Sequence, residues 1–148
     1  MCIIVDASVL GKFLAEPPGA DALPIHKWLT RRRGKLVYST GGKFAEEIVG
    51  KARERLLVYV RADMAVVEAR EHELHEQEQA LAADIRSNDP HVLALARVSG
   101  ARLLYTEDGD LMTDFKDKRF VDRPRGKVYS RAANENLLRT ANCAPRQP

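Results

Sequence analysis

The opening residues constrain the architecture more than any other stretch. Cys2 to Val5 is wholly apolar and mostly β-branched, and Asp6 follows at once. A strand with one wet face alternates polar and apolar residues, whereas an unbroken apolar run of this length belongs to a strand covered on both faces, as in a parallel sheet. Leu36 to Ser39, Arg102 to Thr106 and Gly126 to Ser130 read as further strands. Residues 59–85 are ambiguous: Met64 to Val67 suits a short strand, while Ala69 to Ala83, rich in Ala, Glu and Gln, suits a helix. Helical spacing appears between the strands. Val9, Leu10, Phe13 and Leu14 form one apolar stripe, interrupted by GluProProGly at 16–19; Ile25, Trp28 and Leu29 form another, closed by Gly34. Phe44, Ile48, Val49, Ala52 and Leu56 predict a single helix entered through Gly41 and Gly42. Asp89 and Pro90 open a helix that runs to about Val98 before Gly100 stops it. A small helix around Glu135 to Arg139 precedes a ProArgGlnPro tail. Strands alternating with helices define an α/β fold with a parallel sheet.

A chain of 148 residues fits one domain spanning 1–148. With 45% hydrophobic and 30% charged residues it is neither disordered nor fibrous in composition. No apolar run reaches the roughly 20 residues that span a bilayer, and the N-terminus enters a strand without the pattern of a secretory signal. Cys2 and Cys143 sit near opposite ends in no metal or redox spacing. They read as reduced thiols of a cytoplasmic protein, with a disulfide between them as the alternative. The net charge is +3, but it is unevenly spread. Lys27, Arg31, Arg32, Arg33 and Lys35 form one basic stretch, and a basic C-terminal extension from about residue 115 holds Lys116, Lys118, Arg119, Arg123, Arg125, Lys127 and Arg131. Such stretches suit a phosphate backbone, although a solvated surface explains either one equally well.

Acids are placed with more purpose. Asp6 ends the first apolar run, Glu46 and Glu47 lie one helix turn beyond the second, Asp89 opens an apolar helix, and Asp108 follows LeuLeuTyrThr. Each has an ordinary structural explanation: a turn or cap for Asp6, an N-cap beside Pro90 for Asp89, a solvated loop for Asp108 and Asp110, an exposed helix face for Glu46 or Glu47. Their recurrence after buried strands does not, because parallel strands deliver their C-terminal ends to one sheet edge, where ligands of open α/β sheets bind.

Three blocks carry a resemblance to a known family: MetCysIleIleValAspAlaSerValLeu at 1–10, SerAsnAspProHisValLeuAlaLeuAla at 87–96 and LeuLeuTyrThrGluAspGlyAspLeu at 103–111. The chain resembles the PIN-domain family of small metal-dependent nucleases, many of them toxins of toxin–antitoxin pairs. That resemblance implies a three-layer α/β/α sandwich with a mostly parallel central sheet. It implies Asp6, Asp89 and Asp108 as direct or water-mediated ligands of Mg²⁺ or Mn²⁺, with Asp110 as an auxiliary ligand. Its helical acid maps onto Glu47, which precedes Ile48, better than onto Glu46; both flank the same apolar face, and either choice stays open.

Clustered carboxylates repel one another, and a hard divalent cation relieves that repulsion. The implied activity is endoribonucleolytic hydrolysis of RNA phosphodiesters, with Glu47 orienting or deprotonating the attacking water, Ser8 and Thr106 positioning a ligand or phosphate, and a second ion about 3.5–4 Å from the first as an option. Arg31, Arg32, Arg33 and Lys43 are the candidate RNA contacts. The implied partners are RNA, an antitoxin protein and a second copy of the chain in a homodimer, with no membrane. A catalytically weak PIN-like module that binds RNA or protein is the alternative.

Other motifs carry less. ThrGlyGlyLys at 40–43 lacks the spacing of a Walker loop, which argues against nucleotide hydrolysis. Glu71, His72, His75 and Glu76 read as a solvated helix face rather than a zinc site. His91 reads as a helix-start residue packed locally, with a phosphate contact as the alternative. Trp28 and Tyr38 read as core.

Overall fold

The computed structural model describes residues 2–140 and 143. Five strands, β1 (Cys2–Val5), β2 (Lys35–Tyr38), β3 (Ala65–Val67), β4 (Leu103–Tyr105) and β5 (Lys127–Tyr129), form one sheet in the order β3-β2-β1-β4-β5. Every neighbouring pair is parallel. Helices α1 (Ala7–Leu14) and α2 (Leu23–Thr30) link β1 to β2, α3 (Gly42–Glu47) and α4 (Gly50–Arg61) link β2 to β3, α5 (Glu71–Leu81) and α6 (Pro90–Ser99) link β3 to β4, and α7 (Gly109–Lys116) links β4 to β5. A 3-10 helix, Ala132–Arg139, follows the last strand.

The apolar strands make three layers because successive side chains leave a strand on opposite faces. Ile3, Leu36, Tyr38, Leu103 and Tyr105 join a core with α1, α2, α4 and the 3-10 helix. Ile4, Val37 and Leu104 face the other way, into a core with α3, α5, α6 and α7. The chain is therefore an α/β/α sandwich on a parallel sheet. Its second core centres on α6, where residues 91–96 are all buried. Residues beyond 115 complete the sheet through β5, and Phe120, Val121, Tyr129 and Leu138 are core side chains.

Two expectations are corrected. The helix drawn through Phe44, Ile48, Val49, Ala52 and Leu56 is two helices, because Ile48 and Val49 leave the helical conformation and Gly50 takes a φ of +57° that a side chain disfavours. Val49 is consequently exposed instead of lying on an apolar stripe. Cys2 and Cys143, read as reduced thiols, are joined in a disulfide with Cα atoms 5.2 Å apart. The ground for a cytoplasmic location drawn from free thiols goes with that reading. The ambiguous segment resolves as β3 followed by α5, and the ProArgGlnPro tail lies outside the described residues. Among the described residues no helix is long and apolar enough to cross a membrane.

Where α7 meets β5 the packing admits no side chain at Gly126, whose added Cβ would stand 2.1 Å from the carbonyl oxygen of Phe115. Backbone cannot swing aside as a side chain can. Gly126→Ala is expected to cost about 1–3 kcal/mol, seen as a lower urea midpoint with an unchanged slope; an unchanged midpoint would mean that this junction yields freely.

Candidate metal centre

Strand order reverses at β1: the chain builds outward through β2 and β3, then returns to place β4 on the other side. In sheets of this kind a crevice opens at that switch point, beyond the carboxyl ends of the strands. Ile4 pairs with Leu104 and Val5 with Tyr105, so the next step brings Asp6 beside Thr106. The Asp6 amide donates to the Tyr105 carbonyl oxygen at 2.9 Å, which carries the β1–β4 pairing to the edge itself.

Asp6 is buried, 4% exposed, yet no cationic side chain is paired with it among the described residues. Hydroxyls hold it instead. Ser8 Oγ donates to Asp6 Oδ2 at 2.7 Å and Thr106 Oγ1 donates to the same oxygen at 2.9 Å. A buried carboxylate is expensive without compensation, and two hydroxyls on one oxygen leave Oδ1 for another partner. Thr106 Oγ1 also accepts from the Asp108 amide at 3.0 Å, tying the start of α7 to Asp6.

The strand-end and helix-start acids divide into two kinds. Asp108 caps α7: its Oδ1 accepts from the amides of Asp110 and Leu111 at 3.0 and 3.2 Å. Asp6 and Asp89 occupy the cap positions of α1 and α6 but make no side-chain cap hydrogen bond. Capping is therefore a sufficient account of Asp108 and not of the other two. Asp89 instead looks toward Glu47 and His91, with one ligand atom from each of the three lying within 4.8 Å of the others. His91 Nε2 and Glu47 Oε1 are 2.5 Å apart, and Lys43 Nζ is 3.6 Å from Asp89 Oδ1 while donating to the Asn88 carbonyl oxygen at 2.9 Å.

Local structure explains how these groups arrive. The break after α3 ends that helix at Glu47 and aims its carboxylate at α6; Glu46, on the same short helix, is exposed. Asp89 hangs from a loop fastened by Asp114, a buried residue of α7 whose two carboxylate oxygens accept from the Arg86 and Ser87 amides at 3.0 and 2.8 Å. His91 is 1% exposed, with its ring edge-on to Phe44 at 4.7 Å between centroids and its Nδ1 without a hydrogen-bond partner.

Electrostatics mark Asp89 as the strained member. Burial first, then the negative charge of Asp6, pushes its carboxyl above the ordinary value of 3.8; Glu47 adds to this, and His91 and Lys43 oppose it. Divalent cations bind oxygen and nitrogen at about 2.1 Å, which sets neighbouring ligand atoms about 3 Å apart and opposite ones about 4.2 Å apart. The ligand atoms of Glu47, Asp89 and His91 lie within 4.8 Å of one another, near that spacing, and their oxygen and nitrogen donors are of a type that holds such an ion.

Other candidates fall elsewhere. Asp110 is exposed in the first turn of α7 and outside the group of three. Arg31, Arg32 and Arg33 precede β2, at the far end of the sheet; its four residues alone separate them from the carboxylate edge by roughly 13 Å. Arg32 there approaches Asp63 at 3.9 Å. Of the proposed RNA contacts only Lys43 touches the cluster. In the C-terminal basic stretch, Arg119 holds Asp117 in a two-toothed pair and pulls that carboxyl down to about 2, so its charge is already matched.

Two residues in or near the cluster were not among the acids picked out in the sequence, where His91 carried only a phosphate contact as its alternative reading. His91 had a signal, since it is the one polar residue in the run 91–96. Asp114 had a fainter one, an acid between Leu111 and Phe115 on the buried stripe of α7. Comparisons with protein-family models, with curated proteins and with solved structures find no match to this chain.

A folded-state value above the unfolded one means that Asp89 favours folding most when protonated, below about pH 3.8. That contribution is lost as pH rises through the raised value, leaving a cost at neutral pH. In EDTA at pH 7, Asp89→Asn is therefore expected to melt at or above the wild-type temperature, and Mn²⁺ is expected to raise the melting temperature of the wild type alone. A variant that melts lower in EDTA would assign the carboxylate a structural role.

Proposed function

We propose that the protein is a metal-dependent phosphodiesterase of the PIN type, an endoribonuclease that serves as the toxin of a toxin–antitoxin pair. The observation that supports this most is that two acids at helix-cap positions, Asp6 and Asp89, forgo capping, with Asp89 grouped with Glu47 and His91 and Asp6 near enough to raise the Asp89 pKa. Acids kept for structure would satisfy amides there, as Asp108 does.

The roles follow from placement. Asp89, Glu47 and His91 would hold a divalent cation, with Asp6 beside them; Mg²⁺ or Mn²⁺ is the expected ion. When bound, the ion supplies charge neutralisation and Lewis acidity toward a phosphodiester. With one carboxylate oxygen toward the ion, Glu47 would use its other oxygen to orient or deprotonate an attacking water, a task suited to a carboxylate at the cluster's partly open side. Ser8 and Thr106 keep Asp6 in one orientation and so prevent it from turning to satisfy itself elsewhere. Lys43, 42% exposed, balances Asp89 in the absence of substrate and offers a cation to a phosphate oxygen. Asp114 acts through the loop it fastens, as a positioning residue. An antitoxin protein that covers the acidic crevice and a homodimeric state belong to the same proposal, as does the cytoplasmic location that an RNA substrate implies.

Cleavage of single-stranded and structured RNA by purified protein, with Mg²⁺ or Mn²⁺ and with EDTA, tests the reading. Asp6→Asn and Asp89→Asn are expected to abolish metal-dependent cleavage while remaining folded, and Glu47→Gln to lower kcat by about 10²–10⁴-fold. RNA binding without turnover in the wild type would instead favour a binding module.

A further inference from the structure

The metal group contains an imidazole, and this bears on which ion it takes. Within the proposed metal-dependent reading, we infer that His91 Nε2 is a direct ligand and that the site selects a nitrogen-accepting first-row transition ion over Mg²⁺. A site for Mg²⁺ alone needs only oxygen donors, since that ion is hard, keeps several waters and is served by one or two carboxylates. Here the chain sets a nearly inaccessible imidazole among carboxylates: His91 is 1% exposed, its Nε2 is 2.5 Å from Glu47 Oε1, and one of its ring nitrogens lies within 4.8 Å of ligand atoms of both Glu47 and Asp89.

The ring is paired at one nitrogen only. Its Nε2 meets Glu47 Oε1, while its Nδ1 has no hydrogen-bond partner. Moving the imidazole proton from Nε2 to Nδ1 gives up the hydrogen bond to Glu47 and leaves a buried N–H without an acceptor, a cost that the bond from Nε2 to the ion has to exceed; it leaves the Nε2 lone pair facing Glu47. Glu47 then turns from accepting the imidazole N–H to facing the same ion, which separates the two atoms from 2.5 Å to the roughly 3 Å of neighbouring ligands. The ring plane is set by packing, edge-on to Phe44.

Protein stripped with EDTA and reloaded with Mn²⁺ provides the test, read by pulsed electron paramagnetic resonance and by competition with Mg²⁺. The expected result is ¹⁴N coupling from a directly bound imidazole in the wild type and its loss in His91→Gln. Mn²⁺ should be preferred over Mg²⁺ in the wild type, with that preference reduced about 10–100-fold in the variant. Bound Mn²⁺ without ¹⁴N coupling in the wild type overturns the inference whether or not the variant folds, as does an unchanged preference in a folded His91→Gln. Nitrogen coupling without RNA cleavage under any metal leaves His91 as a ligand and removes the nuclease reading. Cleavage supported equally by Mg²⁺, with no nitrogen coupling, does the reverse; failure to bind Mn²⁺ at all overturns both.

Discussion

Pairing of β1 with β4 is the constraint from which the rest of the molecule takes its shape. Both strands are covered on their two faces, so their backbone groups have no water to turn to and must bond to each other in register. The apolar runs end together at Val5 and Tyr105. Asp6 and Thr106 are then neighbours by necessity, and the hydroxyl of Thr106 can reach Asp6 on one side and the Asp108 amide on the other. Polar residues that the core cannot admit are thus delivered to one edge, where two connected loops and two helices meet.

That edge is electrostatically unbalanced by construction. Asp6, Glu47 and Asp89 are brought toward one another with Lys43 and His91 as the nearby balancing groups. Burial and mutual repulsion raise the cost of ionising Asp89, while Asp114 prevents its loop from relaxing away. A fold that keeps such an arrangement gives up stability locally, as binding sites commonly do. The contrast with Asp108 is instructive. An acid in an equivalent position can satisfy two amides and so contribute to a helix, which makes the idle caps at α1 and α6 more informative than the mere presence of acids.

Much of this was legible because the signals were local. The apolar run of residues 2–5 reported a strand covered on both faces, and Asp89 with Pro90 and Gly100 bounded α6 closely. The choice between Glu46 and Glu47 was not legible. Both flank the stripe of Phe44 and Ile48, and the point at which the helix breaks decides which one faces α6. The break itself was hidden by an apolar pattern that continues through Val49 although the backbone does not. His91 packs locally against Phe44, as a polar residue in a buried run suggests, but its pairing with Glu47 needed a partner from another helix to be known.

By itself, then, the chain's order of residues determined the parallel α/β layout and the strand-end acids, because alternation, caps and breakers act over a few residues. Only tertiary structure decided which of those acids meet, that Arg31, Arg32 and Arg33 stand at the other end of the sheet, and that Cys2 reaches Cys143. Each of these depends on strand order and on the path of connections between distant segments, and no local pattern encodes a distance across 44 or 141 residues.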